Sequence, residues 1–346
     1  MRHTIDSEFF SYIHVLAEPC FVQGGGGNFS VKHGNTMLVK ASGFLFSEIT
    51  DVNGWVVVDY KKIKSFYDNL RSAEETSEEC GNEVVLKSIV DDVRFGGMKP
   101  SMETAFHAYL GKYVVHTHSI FVNTIACSAQ SKQICEDIFS QANFSFAWVP
   151  YANPGLHLAY AIKKLLEQQN KLPDVLVLEN HGLIVHAQTV DGVRNIYTEV
   201  HELLEKSFGL GYGNYPDVGI VPLNADQFAG TTQFVKNYIG TSDSFVNEFT
   251  SEILFPDQAV FCNDIAEVDS SADNARALVQ VSKKTGDIIY TCSRKQALTI
   301  EEEIAAWIFI TTQQKIANLK RKGISPEDVR YITSMEMEKH RKNIIL

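Results

Sequence analysis

The sequence predicts an α/β fold followed by a smaller α+β unit, on three observations. Apolar β-branched runs such as Val114-Val115-His116-Thr117-His118 and Val175-Leu176-Val177-Leu178 interleave with segments of helical periodicity over residues 1–210. A stretch rich in glycine and proline, residues 207–225, then breaks the pattern. Beyond it the strands are shorter, and two capping signatures announce helices, Thr299 with Glu302 and Ser325 before Pro326. The chain therefore divides into residues 1–210 and residues 211–346.

Composition narrows the function classes. A chain of 346 residues can bury a full core and split into two domains. Its 45% hydrophobic and 21% charged residues are those of a globular protein, and no run approaches the roughly 20 apolar residues of a membrane span. Residues 1–10 carry acidic side chains where a signal peptide has its apolar core. A net charge of −11 without a cluster of Lys and Arg argues against nucleic acid. A small anionic substrate stays open, because a few backbone amides bind a phosphate whatever the total charge. Six cysteines without CxxC pairing read as reduced thiols, so we expect a cytoplasmic protein with a small-molecule partner, no nucleic acid and no membrane.

In chain order, residues 6–17 read as an amphipathic helix stopped by Pro19. Gly24-Gly25-Gly26-Gly27-Asn28 follows, a loop whose backbone can approach a ligand closely but which matches neither the P-loop nor the dinucleotide fingerprint. Strands are expected at 37–40 and 55–60, and a helix or extended turn at 61–70. Ser101 is placed to cap a helix beginning at Met102 and Glu103, which sets Glu103 at a helix mouth. Residues 119–127 read as a helix, 146–151 as a strand and 156–169 as a helix. Residues 174–179 and 183–186 read as strands with His181 and Gly182 at the kink between them, and 189–206 as a helix. In the C-terminal part we expect strands at 260–262, 278–282 and 287–292, and long helices after Thr299 and Ser325.

The chemistry starts from His116 and His118. Residues two apart on a strand project from one face, so both imidazoles can reach one point, which is chelating geometry. A zinc site needs one or two further ligands from elsewhere. His107, one helical turn beyond Glu103, reads as a packing or supporting residue, and His186, His201 and His340 have no evident partner.

Taken together, GGGNFS, KASGF, KPSMETAFH, VVHTHS and LENHGLIV resemble, in order, the motifs of the class II aldolase/adducin family. The resemblance covers residues 5–206 and is most specific at the HxH and NHGL signatures. It implies a three-layer α/β/α catalytic domain with a central, mostly antiparallel sheet, and a homo-oligomer, commonly a tetramer. It implies His116, His118 and His181 as ligands to Zn2+ or another divalent metal, with Glu103 as metal-binding acid/base. Gly27, Asn28, Ser42, Gly43 and Ser101 correspond to positions that hold a substrate phosphate. Met102 departs from the pattern, standing where the sugar-phosphate aldolases have a second serine.

The implied activity is reversible retro-aldol cleavage of a sugar or sugar phosphate through a metal-stabilised enediolate. The alternatives are an epimerase, dehydratase or decarboxylase on a related keto sugar with the same centre, and a non-catalytic adducin-like interaction module. The family often uses a tyrosine as a further proton donor, for which the sequence offers no assignment. Residues 211–346 show no cluster of ligand-type side chains, and a structural or oligomerising role is expected for them.

Overall fold

The computed structural model describes residues 6–90, 97–268 and 276–339. Seven strands form the larger sheet: β1 (Asn28–His33), β2 (Thr36–Lys40), β3 (Trp55–Asp59), β4 (Tyr113–Thr117), β5 (Phe146–Val149), β6 (Val175–Leu178) and β7 (Gly182–Ala187). Their order is β3-β2-β1-β4-β7-β6-β5, and every neighbouring pair is antiparallel except β5 with β6. The β1–β2 hairpin closes at His33↔Thr36 over a two-residue turn that starts at Gly34, whose φ of +59° suits a glycine.

Helices cover both faces, which is why β4 is buried along its whole length and reads as an apolar run. One layer gathers α2 (Tyr60–Asn69), α3 (Glu78–Lys87), α4 (Thr104–His107) and α7 (Leu156–Glu167). The other gathers α1 (Ser7–Val15), α5 (Ile120–Ala126), α6 (Ser131–Phe139) and α8 (Val190–Phe208). The long helix α8 starts where the Thr189 hydroxyl accepts the Gly192 N–H and ends at Gly209 in the left-handed conformation. This is the expected α/β/α arrangement with a mostly antiparallel sheet.

A second sheet follows, with β8 (Ile220–Pro222), β9 (Gln227–Gly230), β10 (Ile265–Glu267), β11 (Val279–Val281) and β12 (Ile288–Thr291) in the order β10-β11-β12-β9-β8. Around it stand α9 (Gln233–Thr241), α10 (Phe245–Ser251), α11 (Pro256–Phe261), α12 (Arg294–Ile316) and α13 (Pro326–Ser334). α12 joins the two halves. It packs on α5 of the first domain and on α9, α11, β8 and β9 of the second. Ile300, Ile304, Trp307, Ile308, Phe309 and Ile310 are all buried, so its apolar positions run all round instead of along one stripe.

Four local expectations need correction. The helix after Ser101 begins at Thr104 and lasts one turn; the Ser101 hydroxyl accepts the Glu103 N–H at 3.3 Å, and Glu103 itself occupies the cap position. Residues 260–262 are no strand: Val260 and Phe261 end α11, whose first residue is Pro256, a residue preset for a helix start. α12 begins at Arg294, capped by the Ser293 hydroxyl, a full turn before the Thr299 and Glu302 signature. The segment at 207–225 contains β8. Ser325 does cap its helix, accepting the Asp328 N–H. His340 lies outside the described residues.

Because α12 shares its apolar surface between the halves, residues 1–210 expressed alone should be uncovered along α5. Each large apolar side chain left in water costs about 1.5–3 kcal/mol, so this fragment is expected to bind a hydrophobic dye and to melt well below the full chain. Equal melting temperatures without dye binding would contradict that dependence.

Candidate metal centre

The centre forms where β4, the β6–β7 turn and the N-terminus of α4 meet. His116 is the fourth residue of β4 and His118 follows the strand's end, so their rings share the face that looks toward α4; Phe106 packs edge-on against His116 with ring centroids 5.7 Å apart. His181 ends the turn that closes at Leu178↔Gly182, preceded by Asn180 at φ +54°. Gly182 is demanded by closeness: a Cβ there would lie 2.2 Å from the Thr117 carbonyl oxygen. The Asn123 amide donates to the carbonyls of His118 (3.4 Å) and His181 (3.2 Å), tying the two ligand-bearing segments together.

One donor atom each from Glu103, His116, His118 and His181 lies within 4.8 Å of all the others, and all four residues are buried. The Nε2 atoms of His116 and His118 are 3.2 Å apart, His116 Nε2 is 3.4 Å from Glu103 Oε2, and His181 Nε2 is 3.2 Å from Glu103 Oε1. Four donors at zinc-like bond lengths of ~2.0–2.1 Å would stand about 3.3 Å from one another. His116 donates its Nδ1 proton to the Leu183 carbonyl at 3.0 Å, which leaves Nε2 as a bare lone pair facing the other donors. The donor set thus fits a divalent cation.

Electrostatics agree with that fit. Burial lowers the His116 imidazole to about 3 despite the neighbouring carboxylate, so this ring is neutral at pH 7. Burial alone would raise the Glu103 carboxyl, but the imidazoles of His116, His181 and His118 outweigh it and hold the group well below the usual carboxylate range. A buried anion surrounded by imidazole nitrogens favours a positive charge at their centre.

Behind Glu103 runs a relay that the sequence reading only touched. Asn28 donates to Glu103 Oε2 at 2.8 Å and more weakly to the Ser101 hydroxyl at 3.4 Å. His107 Nε2 donates to the Asn28 carbonyl oxygen, and its Nδ1 accepts from the Ser30 hydroxyl at 2.8 Å. Burial drives the His107 ring far toward its neutral form. Asn28, expected among the substrate contacts, therefore has its side chain engaged in orienting Glu103, and His107 is its support. His201, without an evident partner in sequence, bonds the Ser119 hydroxyl at 2.8 Å on the opposite face of the sheet, and His186 is buried.

Gly27, Ser42, Gly43, Ser101, Glu103, His118 and His181 line one cavity with a free volume of about 20 Å3. Ser42 and Ser101 come together across the Ala41↔Pro100 bridge, with the Ser42 N–H on the Lys99 carbonyl and the Ser101 N–H on the Lys40 carbonyl. Part of the wall comes from residues 211–346, in which the sequence shows no ligand-like cluster. Asp257 of α11 and Met337 and Glu338 beyond α13 also line the cavity. No tyrosine lines it among the described residues. Glu302, read as a helix cap, instead accepts the Gly24 N–H at 2.7 Å, and burial pushes its carboxyl up to about 7.

Fold and site together define a class: an α/β/α protein with three histidines and a glutamate converging in a buried centre. Residues 7–207 match the Class II Aldolase and Adducin N-terminal domain, and the chain belongs to that family. The N-terminal class II aldolase domain of a conserved protein from Thermoplasma acidophilum has a similar fold, with a TM-score of 0.51 and 22% identity over 60% of this chain and 95% of its own. L-Fuculose 1-phosphate aldolase is 21% identical over 60% of this chain and 89% of its own, with a TM-score of 0.40. A stretch of 92 residues, 26% of this chain, is 38% identical to the uncharacterized oxidoreductase YuxG of Bacillus subtilis. That stretch spans 13% of YuxG.

Gly182→Ala tests the packing under the centre. The clash is with backbone and cannot be relieved by a rotamer change, so a loss of about 1–3 kcal/mol in stability is expected, together with weaker metal uptake. Thermal denaturation and competition with a chelator read the two effects.

Proposed function

We propose that the chain is a metal-dependent lyase that cleaves a keto sugar reversibly by retro-aldol chemistry. The observation that carries this reading is the convergence of three imidazole nitrogens on the Glu103 carboxylate, with His116 held as a neutral ligand by the Leu183 carbonyl. His116, His118 and His181 would hold Zn2+ or another divalent ion, and Glu103 would bind it at rest. Bound there, such an ion would supply Lewis acidity toward the substrate carbonyl and toward the negative charge that C–C cleavage leaves beside it.

Glu103 is the acid/base of this reading. Asn28 holds Oε2 while Oε1 faces His181, so the carboxylate can turn from the ion to the substrate carbon and move a proton there. In cleavage the hydroxyl that becomes the aldehyde must give up a proton, which it regains in the aldol direction, and Glu338 is the carboxylate that the C-terminal segment adds to the cavity besides Asp257, which lies against His118. A cavity of about 20 Å3 holds roughly one water. Met337 and Glu338, in the helical segment 336–339, form part of the wall beside which a ketose would bind.

The polar lining favours an unphosphorylated sugar over a sugar phosphate. Several amides of this region are already engaged: Gly24 on Glu302, Gly26 on the Gln23 carbonyl, Ser42 on Lys99 and Ser101 on Lys40. Met102 brings no hydroxyl, and the two carboxylates oppose a dianion at close range. Lys40 is the lysine of this wall, and its ammonium donates to the Gly25 carbonyl at 3.2 Å. Gly27, Gly43, Ser42 and Ser101 would then bind sugar hydroxyls.

Epimerase, dehydratase or decarboxylase chemistry on a related keto sugar remains the second reading, since the same centre serves each, and product analysis separates them. Assembly as a homo-oligomer, a tetramer on the family resemblance, belongs to this proposal and is read by light scattering. So does a cytoplasmic site of action; among the described residues no helix is long and apolar enough to cross a membrane.

The test is metal analysis of the purified protein, followed by a screen of ketoses with and without a 1-phosphate for aldehyde release. Stoichiometric divalent metal and faster cleavage of the unphosphorylated series are expected. His116→Ala should lose the metal and at least about 100-fold in cleavage rate; a metal-free variant with full activity would sink the reading, and no bound metal in the wild type would favour an interaction module.

A further inference from the structure

Asp257 lies 50 residues past the end of the family match at residue 207, yet it reaches the centre. Its Oδ2 is 3.0 Å from Nδ1 of His118, a charge contact and not an in-line hydrogen bond, and the side chain is only 2% exposed. The contact is built from three directions. α11 delivers the carboxylate, β4 delivers the imidazole, and the glycine-rich loop closes over both: a Cβ on Gly26 would stand 2.8 Å from Asp257 Oδ2 and 2.8 Å from His118 Nδ1.

His118 presents its other nitrogen, Nε2, to His116 Nε2 at 3.2 Å. His116 has already given its Nδ1 proton to Leu183, so its Nε2 carries a lone pair. A proton on His118 Nε2 would fill the space where the donors converge and remove that nitrogen as a ligand. A carboxylate against Nδ1 draws the proton to the other side of the ring and leaves Nε2 basic.

We propose that Asp257 is a positioning residue of the metal centre: it holds the His118 proton on Nδ1 and so keeps Nε2 a metal ligand, which makes the C-terminal segment a structural half of the site. The proposal rests on the reading of the three histidines as metal ligands. Gly26 belongs to the same arrangement, because any side chain there would part the carboxylate from the ring. The contact also explains why α11 begins where it does: Pro256 fixes the first turn, and Gln258, which takes the Leu254 N–H at 2.8 Å and donates to the Phe249 carbonyl at 2.7 Å, pins that turn beside the loop.

The experiment uses the full chain loaded with zinc. Long-range 15N–1H correlation spectra of the wild type should show His118 protonated at Nδ1, and a proton on Nε2 would overturn the proposal without any variant. Asp257→Asn should weaken zinc binding, measured against a competing chelator, by about 10–100-fold with an unchanged circular dichroism spectrum, and Gly26→Ala should do the same with Asp257 intact. Zinc affinity equal to wild type in both variants would overturn the proposal, and so would retained zinc with lost turnover in Asp257→Asn, which would place Asp257 against substrate. Failure of the wild type itself to take up zinc is a different result and sinks the metal reading on which this inference rests.

Discussion

The structure depends on a buried carboxylate that has to be paired. An ionised Glu103 removed from water costs several kcal/mol unless charge and hydrogen bonds replace its hydration. The Asn28 amide supplies a hydrogen bond to Oε2, a cation among the three imidazole nitrogens would supply the charge, and the groups around it are themselves held in place. His116 is set by the Leu183 carbonyl, Asn28 by His107, His107 by Ser30, and the chain on either side of His118 and His181 by Asn123. Such a network is stable only when complete, since a partner removed leaves the next group buried and unsatisfied. The centre is thereby preorganised before any ligand arrives.

The C-terminal segment follows from the same constraint. A four-donor centre at the ends of the central strands would be wet if left open, and here α11 and the chain around 336–339 help to cover it. They do so by holding the motifs themselves. Asn180 donates to the Leu254 carbonyl at 2.8 Å and the Lys322 carbonyl at 2.7 Å, and Lys322 pairs with Glu179. Gly24 is fixed by Glu302 and Gly26 is packed beneath Asp257. Both the loop before β1 and the turn before β7 are thus clamped by side chains and carbonyls from beyond residue 250. All four donor residues are buried, and burial strengthens the charge interactions among them.

Much of this was legible in the chain. The HxH pair on an apolar run means one strand face, and the structure brings both rings to one point as alternation requires. The glycine after His181 marks a close approach that the Thr117 carbonyl makes concrete. The interleaved α/β pattern, the kink at residues 180–182 and the cap at Ser325 follow from local chemistry. Where the reading failed, local signals were short or ambiguous. Three apolar residues at 260–262 carry no period and fit a helix end as well as a strand. Thr299 and Glu302 have capping-box spacing inside a helix that Ser293 had already started. The bond of Asn28 to His107 was not legible either, because the two residues stand 79 positions apart.

By itself, then, the sequence determined most of the elements and the pairing of His116 with His118 on one strand face, because side-chain periodicity and residue chemistry act over a few positions; His181 and Glu103 joined them through the family resemblance. Which groups surround those donors was decided by tertiary structure alone. Asp257 and His118 stand 139 residues apart, and Glu302 and Gly24 stand 278 apart. No periodicity spans such distances; only the burial of α12 between the two halves brings these carboxylates to the loop and the ring. The three histidines and Glu103 are written in the chain, whereas the wall that closes over them exists only once the core has packed.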